Sequence, residues 1–245
     1  MKSLQSKLYS YFWAAPVLFV LITVFFLRGK VQYVYLGVAI LVLLTVLAQR
    51  YKTVKPELTI ARWLATLSSI GLSAAVILSI EKIELLKEPA HVASCSLSPI
   101  VACSPIIASP QASAFGFPNS FIGVAGYGGI LLAALTIAAG GTKLASAWWR
   151  MMAGGLALAT TFAGWLFYQG VFNIGKLCLY CMLVWFVTSA MLWLVVAYCI
   201  EKKHLNLGKK LNKLLGYKYE AITLTFGLIL VLLFYRWSDY WLSLF

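Results

Sequence analysis

Long apolar segments constrain this chain more than any other feature. Seven of them hold roughly 20 residues each, at about 9–27, 31–48, 60–80, 120–139, 146–170, 178–200 and 221–243. A helix of about 20 apolar residues crosses the ~30 Å hydrocarbon core of a bilayer. Only 11% of the residues are charged, against about 25% in soluble domains. We therefore predict an all-α polytopic membrane protein with about seven transmembrane helices.

Two polar stretches interrupt this apolar pattern. Residues 81–119 form a long predicted loop that is rich in Ser, Pro and Ala. Residues 201–220 place five leucines among lysines, a pattern typical of an amphipathic segment that lies on an anionic membrane surface.

The net charge of +13 indicates a membrane topology rather than nucleic-acid binding, because basic residues concentrate in the cytoplasmic loops of membrane proteins. With the N-terminus in the cytoplasm, the inner side carries 14 basic and three acidic residues, and the outer side six basic and four acidic. We therefore predict a cytoplasmic N-terminus. The first apolar segment follows Lys2 and Lys7 but lacks a small-residue cleavage site, so we interpret it as a retained helix.

Four of the five cysteines form two pairs on one side of this predicted topology. Cys95 and Cys103 lie in the outer loop, and Cys178 and Cys181 lie at the outer end of the sixth span. Disulfides persist on the oxidising side of a membrane and are rare in the cytoplasm, so the charge and redox arguments agree. Cys199 falls at the cytoplasmic end of the span, where we expect a small buried apolar residue.

The Cys178–Cys181 pair sits at a predicted helix start. Residues three apart on a helix lie about 5–6 Å from each other, which suits a disulfide, and a helix N-terminus favours the thiolate. Cys181 lies roughly 4.5 Å further along the axis and so deeper in the bilayer, where it can meet a lipid-soluble partner. A static structural disulfide is the alternative.

The Cys95–Cys103 pair has a different spacing. In a continuous helix the two Cα atoms would lie about 12 Å apart, beyond the roughly 7 Å limit for a disulfide. Pro99, with Ser96 and Ser98, favours a folded-back loop in which the two can bond. The alternatives are a loop staple and a four-thiolate metal site. Zinc sites prefer short paired spacings, so we predict no metal.

The residues needed for other chemistry are missing. His91 and His204 lie on opposite sides of the predicted membrane and cannot bind one haem together. No carboxylate lies in the middle of a predicted span, which argues against an ordinary proton or ion relay, and no phosphate-binding glycine loop is present. Thiol chemistry is what remains.

These motifs together resemble the vitamin K epoxide reductase family. They comprise Cys95 and Cys103 with seven residues between them, Ser109, FGFPNSFIG at 115–123, Tyr127 and GKLCLYC at 175–181. The chain looks most like the prokaryotic members, which act as counterparts of DsbB. The resemblance covers about 58–200 and implies a four-helix core around a quinone. It leaves two extra helices in 1–57, and the amphipathic segment and last helix in 201–245.

The resemblance implies roles for the four cysteines. Cys95 would meet the thiols of a partner protein, and Cys103 would exchange with Cys178. Cys181 would be the thiolate that faces the quinone.

The resemblance also implies a quinone-binding set. Asn119 would donate a hydrogen bond to a quinone carbonyl, and Ser109, within a short half-helix over 104–116, would help to cover the site. Tyr127 belongs to the same set. Trp185 stands where animal members have a tyrosine, so its indole N–H would donate instead, or its ring would stack. Epoxide reduction is then the less favoured activity.

Four glycines of the fourth span have two interpretations. Small residues allow helices to pack closely in lipid, which is the first interpretation of Gly123, Gly126, Gly128 and Gly129. The second is that they line the flat ring of the quinone.

The predicted function is a quinone-dependent thiol:disulfide oxidoreductase in a prokaryotic inner membrane, with its active site on the extracytoplasmic side. Electrons would pass from a separate extracytoplasmic thioredoxin-like (DsbA-type) protein to menaquinone or ubiquinone, since no fused thioredoxin-like domain is expected. Vitamin K quinone or epoxide reduction at the same site is the first alternative. A transporter or assembly factor with structural disulfides is the second. The predicted partners are the lipid bilayer, the quinone and the dithiol protein, with no nucleic acid.

Overall fold

The computed structural model describes residues 14–25, 31–50, 55–141, 144–206 and 208–242. In these ranges the chain is almost entirely helical. The helices are α1 (Ala14–Phe25), α2 (Val31–Arg50), α3 (Pro56–Lys87), α4 (Cys103–Ala108), α5 (Asn119–Ala138), α6 (Ser146–Tyr168), α7 (Leu179–Glu201), α8 (Lys209–Leu215), α9 (Lys218–Arg236) and α10 (Ser238–Leu242).

Five of the described helices are long and apolar enough to cross a membrane: α3, α5, α6 with its π-helical extension, α7 and α9. The prediction of an all-α polytopic membrane protein is confirmed. The second predicted span coincides with α2, whose apolar part, Gln32–Leu47, is shorter. The first predicted span, 9–27, lies partly outside the described residues.

Helices α3 and α7 form the centre of the bundle. They pack on each other, α5 and α1 pack on α3, and α6 and α9 pack on α7. Most of α3 and α7 is buried, whereas α5, α6 and α9 leave broad apolar faces uncovered, as helices in contact with lipid do.

Helix α3 is longer than the sequence predicted. It begins with Pro56 in its first turn, where a missing N–H costs nothing, and runs past residue 80 to Lys87. Glu81 and Lys82, which the prediction placed in the polar loop, are therefore buried helical residues. The predicted loop 81–119 begins seven residues later than expected, after Lys87, because both charges have polar partners within the fold.

The segment predicted as one half-helix over 104–116 is two short pieces. Helix α4 ends at Ala108, and a 3₁₀ turn runs from Pro110 to Ser113. The break falls before Pro110 because proline disfavours helical geometry in the residue that precedes it. Ser109 accordingly has an extended backbone. We call residues 103–113 the lid.

A π-helical segment, Gln169–Ile174, continues α6 and ends at Gly175, whose φ of +67° is left-handed. Glycine adopts this conformation at no steric cost. The turn redirects the chain into the second cysteine pair. π-Helical turns of this kind occur frequently at functional sites.

The predicted last span, 221–243, is also broken. Helix α9 ends at Arg236, and α10 begins at Ser238 after a turn at Trp237. In the preceding segment, Lys209, Lys210 and Lys213 of α8 are exposed, in keeping with the predicted amphipathic character.

Candidate active site

Backbone hydrogen bonds hold the two cysteine segments side by side. Leu177 N donates to Ile100 O at 2.8 Å, and Ala102 N donates to Leu177 O at 2.9 Å. These bonds form a parallel bridge between Val101 and Leu177. Lys176 Nζ adds a bond to Pro99 O at 2.6 Å. Cys178 directly follows Leu177, and Cys103 lies two residues after Val101, so the bridge brings the two cysteines together.

Cys95 and Cys103 form a disulfide with their Cα atoms 5.6 Å apart. This agrees with the prediction of a folded-back loop in which the two can bond. Ser96 Oγ accepts hydrogen bonds from Cys103 N at 3.1 Å and from Ser104 N at 3.3 Å. These amides belong to the first turn of α4 and have no partner within that helix. A serine from the other arm of the loop therefore caps α4 and fixes Cys103.

Cys178 lies against this disulfide. The Sγ atoms of Cys95, Cys103 and Cys178 all lie within 4.8 Å of one another, and all three side chains are buried. Cys178 and Cys181 are free thiols, and Cys181 N donates to Cys178 Sγ at 3.3 Å. Cys178 thus caps α7 with its sulfur.

This arrangement suits exchange better than metal binding. Two of the three clustered sulfurs are bonded to each other, so they cannot both serve as thiolate ligands. Within the described part of the chain, a second group, formed by Glu81, Glu84 and His91, has its ligand atoms similarly close. There, Glu81 already accepts hydrogen bonds from Ser94 Oγ at 2.6 Å and from His91 Nε2 at 2.8 Å.

A cavity of about 670 Å³ opens beside the cysteines. It lies between α3, α5, α6 and α7 and is covered at the cysteine end by the lid, and Cys181 and Trp185 of α7 line it. Its volume is typical of small-molecule sites, which run from about 300 to 1,000 Å³. Its lining is predominantly apolar, so it suits a flat, lipid-soluble ring.

The glycines of the cavity wall support this fit. A Cβ at Gly126 or Gly129 of α5, or at Gly155 of α6, would meet nothing within 4 Å, and all three line the cavity. Gly123 differs, because a Cβ there would lie 3.1 Å from Ala75 Cβ of α3. Close helix packing therefore accounts for Gly123, and Gly126 and Gly129 border the cavity. Gly128 does neither, because it is absent from the cavity wall and a Cβ there would meet nothing within 4 Å.

The lid is tied to α5 by Asn119. Its Nδ2 donates to Gln111 O at 2.6 Å, and its Oδ1 accepts from Ala114 N at 3.1 Å. Asn119 lines the cavity, and an amide nitrogen has a second N–H to offer. Ser109 also lines the cavity, but its hydroxyl donates back to Ile106 O at 2.7 Å.

Two aromatic residues complete the predicted set. Tyr127 is buried and shares a 2.6 Å hydrogen bond with Thr188 of α7. Its ring occupies the space left by Gly71, where a Cβ would lie 2.6 Å from the ring. Trp185 is buried edge-on against Phe167 at 4.8 Å between ring centroids. All four predicted cofactor-binding residues thus border the cavity that Cys181 lines.

The sequence prediction missed a fifth residue, Lys82, which lines the same cavity from α3. Its Nζ donates to Ile107 O of the lid at 2.7 Å. The signal was present in the apolar residues that continue at Ile83, Leu85 and Leu86, which extend the helix past the two charges.

Cys199 lies apart from this cluster. It is buried in the last turns of α7, with its Sγ 3.7 Å from Trp149 O. Eighteen residues separate it from Cys181, or about 27 Å along the helix axis.

Comparison with known proteins gives one match. The model of the vitamin K epoxide reductase family matches residues 62–196, which covers more than half of the chain. The matched region begins in α3, ends in α7 and includes both cysteine pairs. No curated protein and no solved structure matches significantly.

Proposed function

Because this chain belongs to the vitamin K epoxide reductase family, and so is a membrane redox enzyme, we propose that it is a quinone-dependent thiol oxidase. In this proposal electrons pass from an extracytoplasmic thioredoxin-like dithiol protein, through both cysteine pairs, to a quinone. The observation that carries the proposal is the close approach of Cys178 Sγ to the Cys95–Cys103 disulfide. A buried thiol in that position is suited to exchange.

The first step oxidises the partner protein. A partner thiolate attacks Cys95 Sγ, so that a mixed disulfide forms and Cys103 leaves as a thiolate. The partner's second thiolate then releases Cys95, and the partner carries the new disulfide. Cys95 is fully buried, so the loop must open for this attack, and exposed Leu97 lies on the part that would move.

The second step moves the electrons inward. Cys103 attacks Cys178 in a Cys178–Cys181 disulfide, which forms a Cys103–Cys178 bond and frees Cys181. Cys95 then attacks Cys103 and restores the outer disulfide. Both inner cysteines become thiols. That bonding pattern, with the outer pair bonded and the inner pair free, is the one poised to deliver two electrons.

The third step takes place at the cavity. A bound quinone supplies an acceptor of two electrons and two protons, and the Cys178–Cys181 dithiol loses the same numbers as it forms a disulfide. Cys181 lines the cavity, so it presents its sulfur to the ring. Asn119 orients a ring carbonyl with its free N–H, while Tyr127 and Trp185 shape the walls.

A purified-protein assay tests this function. Reduced thioredoxin-like protein and menaquinone are added, and the loss of quinone absorbance is followed together with oxidation of the partner. We expect turnover with wild-type protein and none with Cys181→Ala. Cys199→Ala, which removes a thiol remote from the cluster, serves as the matched control and should retain full activity. Quinone reduction by Cys181→Ala at the wild-type rate would contradict the proposal.

A further inference from the structure

Lys82 is the one charged side chain among the described residues that line the cavity. It lies near the C-terminal end of α3 and is buried. A charged residue within a membrane-spanning helix is costly, and such residues mark functional sites. Its position in an otherwise uncharged wall needs an explanation that packing does not supply.

Among the described residues, the hydrogen-bond partner of this ammonium is neutral. Lys82 Nζ donates to the backbone oxygen of Ile107, and no ion pair between residues of the described ranges includes it. The adjacent Glu81 is directed to Ser94 and His91 instead. A carbonyl satisfies one of the three N–H donors of an ammonium but does not neutralise its charge.

The proposed reduction of a quinone would produce negative charge inside this cavity. A quinone bound here would take up negative charge on its ring oxygens as it accepted electrons from the Cys178–Cys181 dithiol. A fixed positive charge in a site shielded from water stabilises such a change strongly. Lys82 lines this cavity from α3 and Cys181 lines it from α7, and the bond to Ile107 leaves two N–H donors of the ammonium unused.

We propose that Lys82 is a catalytic residue that binds the quinone oxygen on which negative charge develops. This inference rests on the proposed function. In the complete step the dithiol loses two electrons and two protons and the quinone gains both. Lys82 keeps its proton and its charge throughout, so it is unchanged overall. The cavity should therefore prefer anionic quinones to neutral ones of the same size.

Binding rather than turnover tests this inference. The full chain carrying Cys178→Ala and Cys181→Ala cannot pass electrons to a ligand. Two probes are titrated by quenching of tryptophan fluorescence: neutral 2-methyl-1,4-naphthoquinone and anionic 2-hydroxy-1,4-naphthoquinone. Lys82→Met should lower the affinity for the anionic probe by at least about tenfold. This is a conservative value for the loss of one unit charge at contact distance. The affinity for the neutral probe should change by less than about twofold.

Two further variants separate charge from structure. Lys82→Arg keeps the charge and should keep the preference for the anionic probe. Lys82→Gln keeps a hydrogen-bond donor toward Ile107 but loses the charge, so it should lose that preference. Lys87→Met removes an exposed lysine of the same helix and is the matched control. The inference would be overturned if Lys82→Met and Lys82→Gln lowered the affinity for both probes equally, or if they changed the affinity for neither probe. Neither result would affect the cysteine relay, which the Cys181→Ala assay tests separately.

Discussion

At the scale of single residues, the outer disulfide is held by a hydroxyl from its own loop. Ser96 Oγ accepts from the backbone N–H groups of Cys103 and Ser104 and contacts Ser104 Oγ at 3.2 Å. Ser104 Oγ in turn accepts from Ala93 N at 2.8 Å. This network joins both arms of the loop while the disulfide is closed. It therefore stabilises the oxidised form if the loop opens on reduction.

We expect Ser96→Ala to make the Cys95–Cys103 disulfide easier to reduce. Loss of a helix-capping side chain costs about 1 kcal/mol, and for a two-electron couple this raises the reduction potential by roughly 20 mV. The potential is measured by equilibration with glutathione buffers and thiol labelling. Ser113→Ala, in the same loop but outside this network, is the control. An unchanged potential in Ser96→Ala would show that the cap persists after reduction.

At the scale of elements, the end of α9 supports the segment that carries the inner cysteines. Arg236 Nε donates to Val171 O at 3.2 Å in the π-helical turn. Trp237 is buried in a small cluster with Val171, Leu177 and Trp185. The end of α9 thus packs behind the strand-like bridge at Leu177 and the first turn of α7. This contact gives it a structural role that its sequence did not reveal.

Removal of this support should loosen the inner pair. Trp237→Ala should lower stability by about 3–5 kcal/mol, as large-to-small changes at buried aromatic residues do, and should speed alkylation of Cys178 by maleimide. Thermal unfolding in detergent measures the change in stability. The rate of maleimide labelling in a Cys181→Ala, Cys199→Ala background measures the change in access to Cys178. Tyr235→Ala removes an aromatic ring that is 77% exposed and should change neither. Protected Cys178 in Trp237→Ala would exclude a supporting role for α9.

The sequence predicted these elements unevenly, for physical reasons. The long apolar segments predicted the helices, and the spacing of the cysteines predicted the folded-back loop. Both features depend on local chain geometry. The predicted end of α3 was wrong because two charged residues, Glu81 and Lys82, do not indicate a buried helix by themselves. Their partners, Ser94, His91 and Ile107, are brought beside them only by the tertiary fold. The cavity was likewise not derivable from spacing, since it depends on how α5 and α6 are held apart around the central helices.

At the scale of the whole molecule, one end of the bundle carries the chemistry and the other carries more of the positive charge. The cysteine cluster and the lid lie at the end where α3 finishes and α7 begins. The opposite end holds Cys199, and beyond it the exposed lysines of α8 follow in the chain. Basic segments remain on the cytoplasmic side of a membrane. This distribution supports the proposed extracytoplasmic active site, and the proposed dithiol partner would approach from that side.

Labelling of introduced cysteines tests this orientation. Leu97 is exposed on the loop of the outer disulfide, and Lys209 is exposed at the start of α8. In intact cells a membrane-impermeant maleimide should label Leu97→Cys, whereas Lys209→Cys should react only after the membrane is permeabilised. Both are made in a Cys181→Ala, Cys199→Ala background, so that the bonded outer pair and buried Cys178 contribute little signal. The reverse pattern would place the cysteines on the reducing side, where a disulfide relay could not persist.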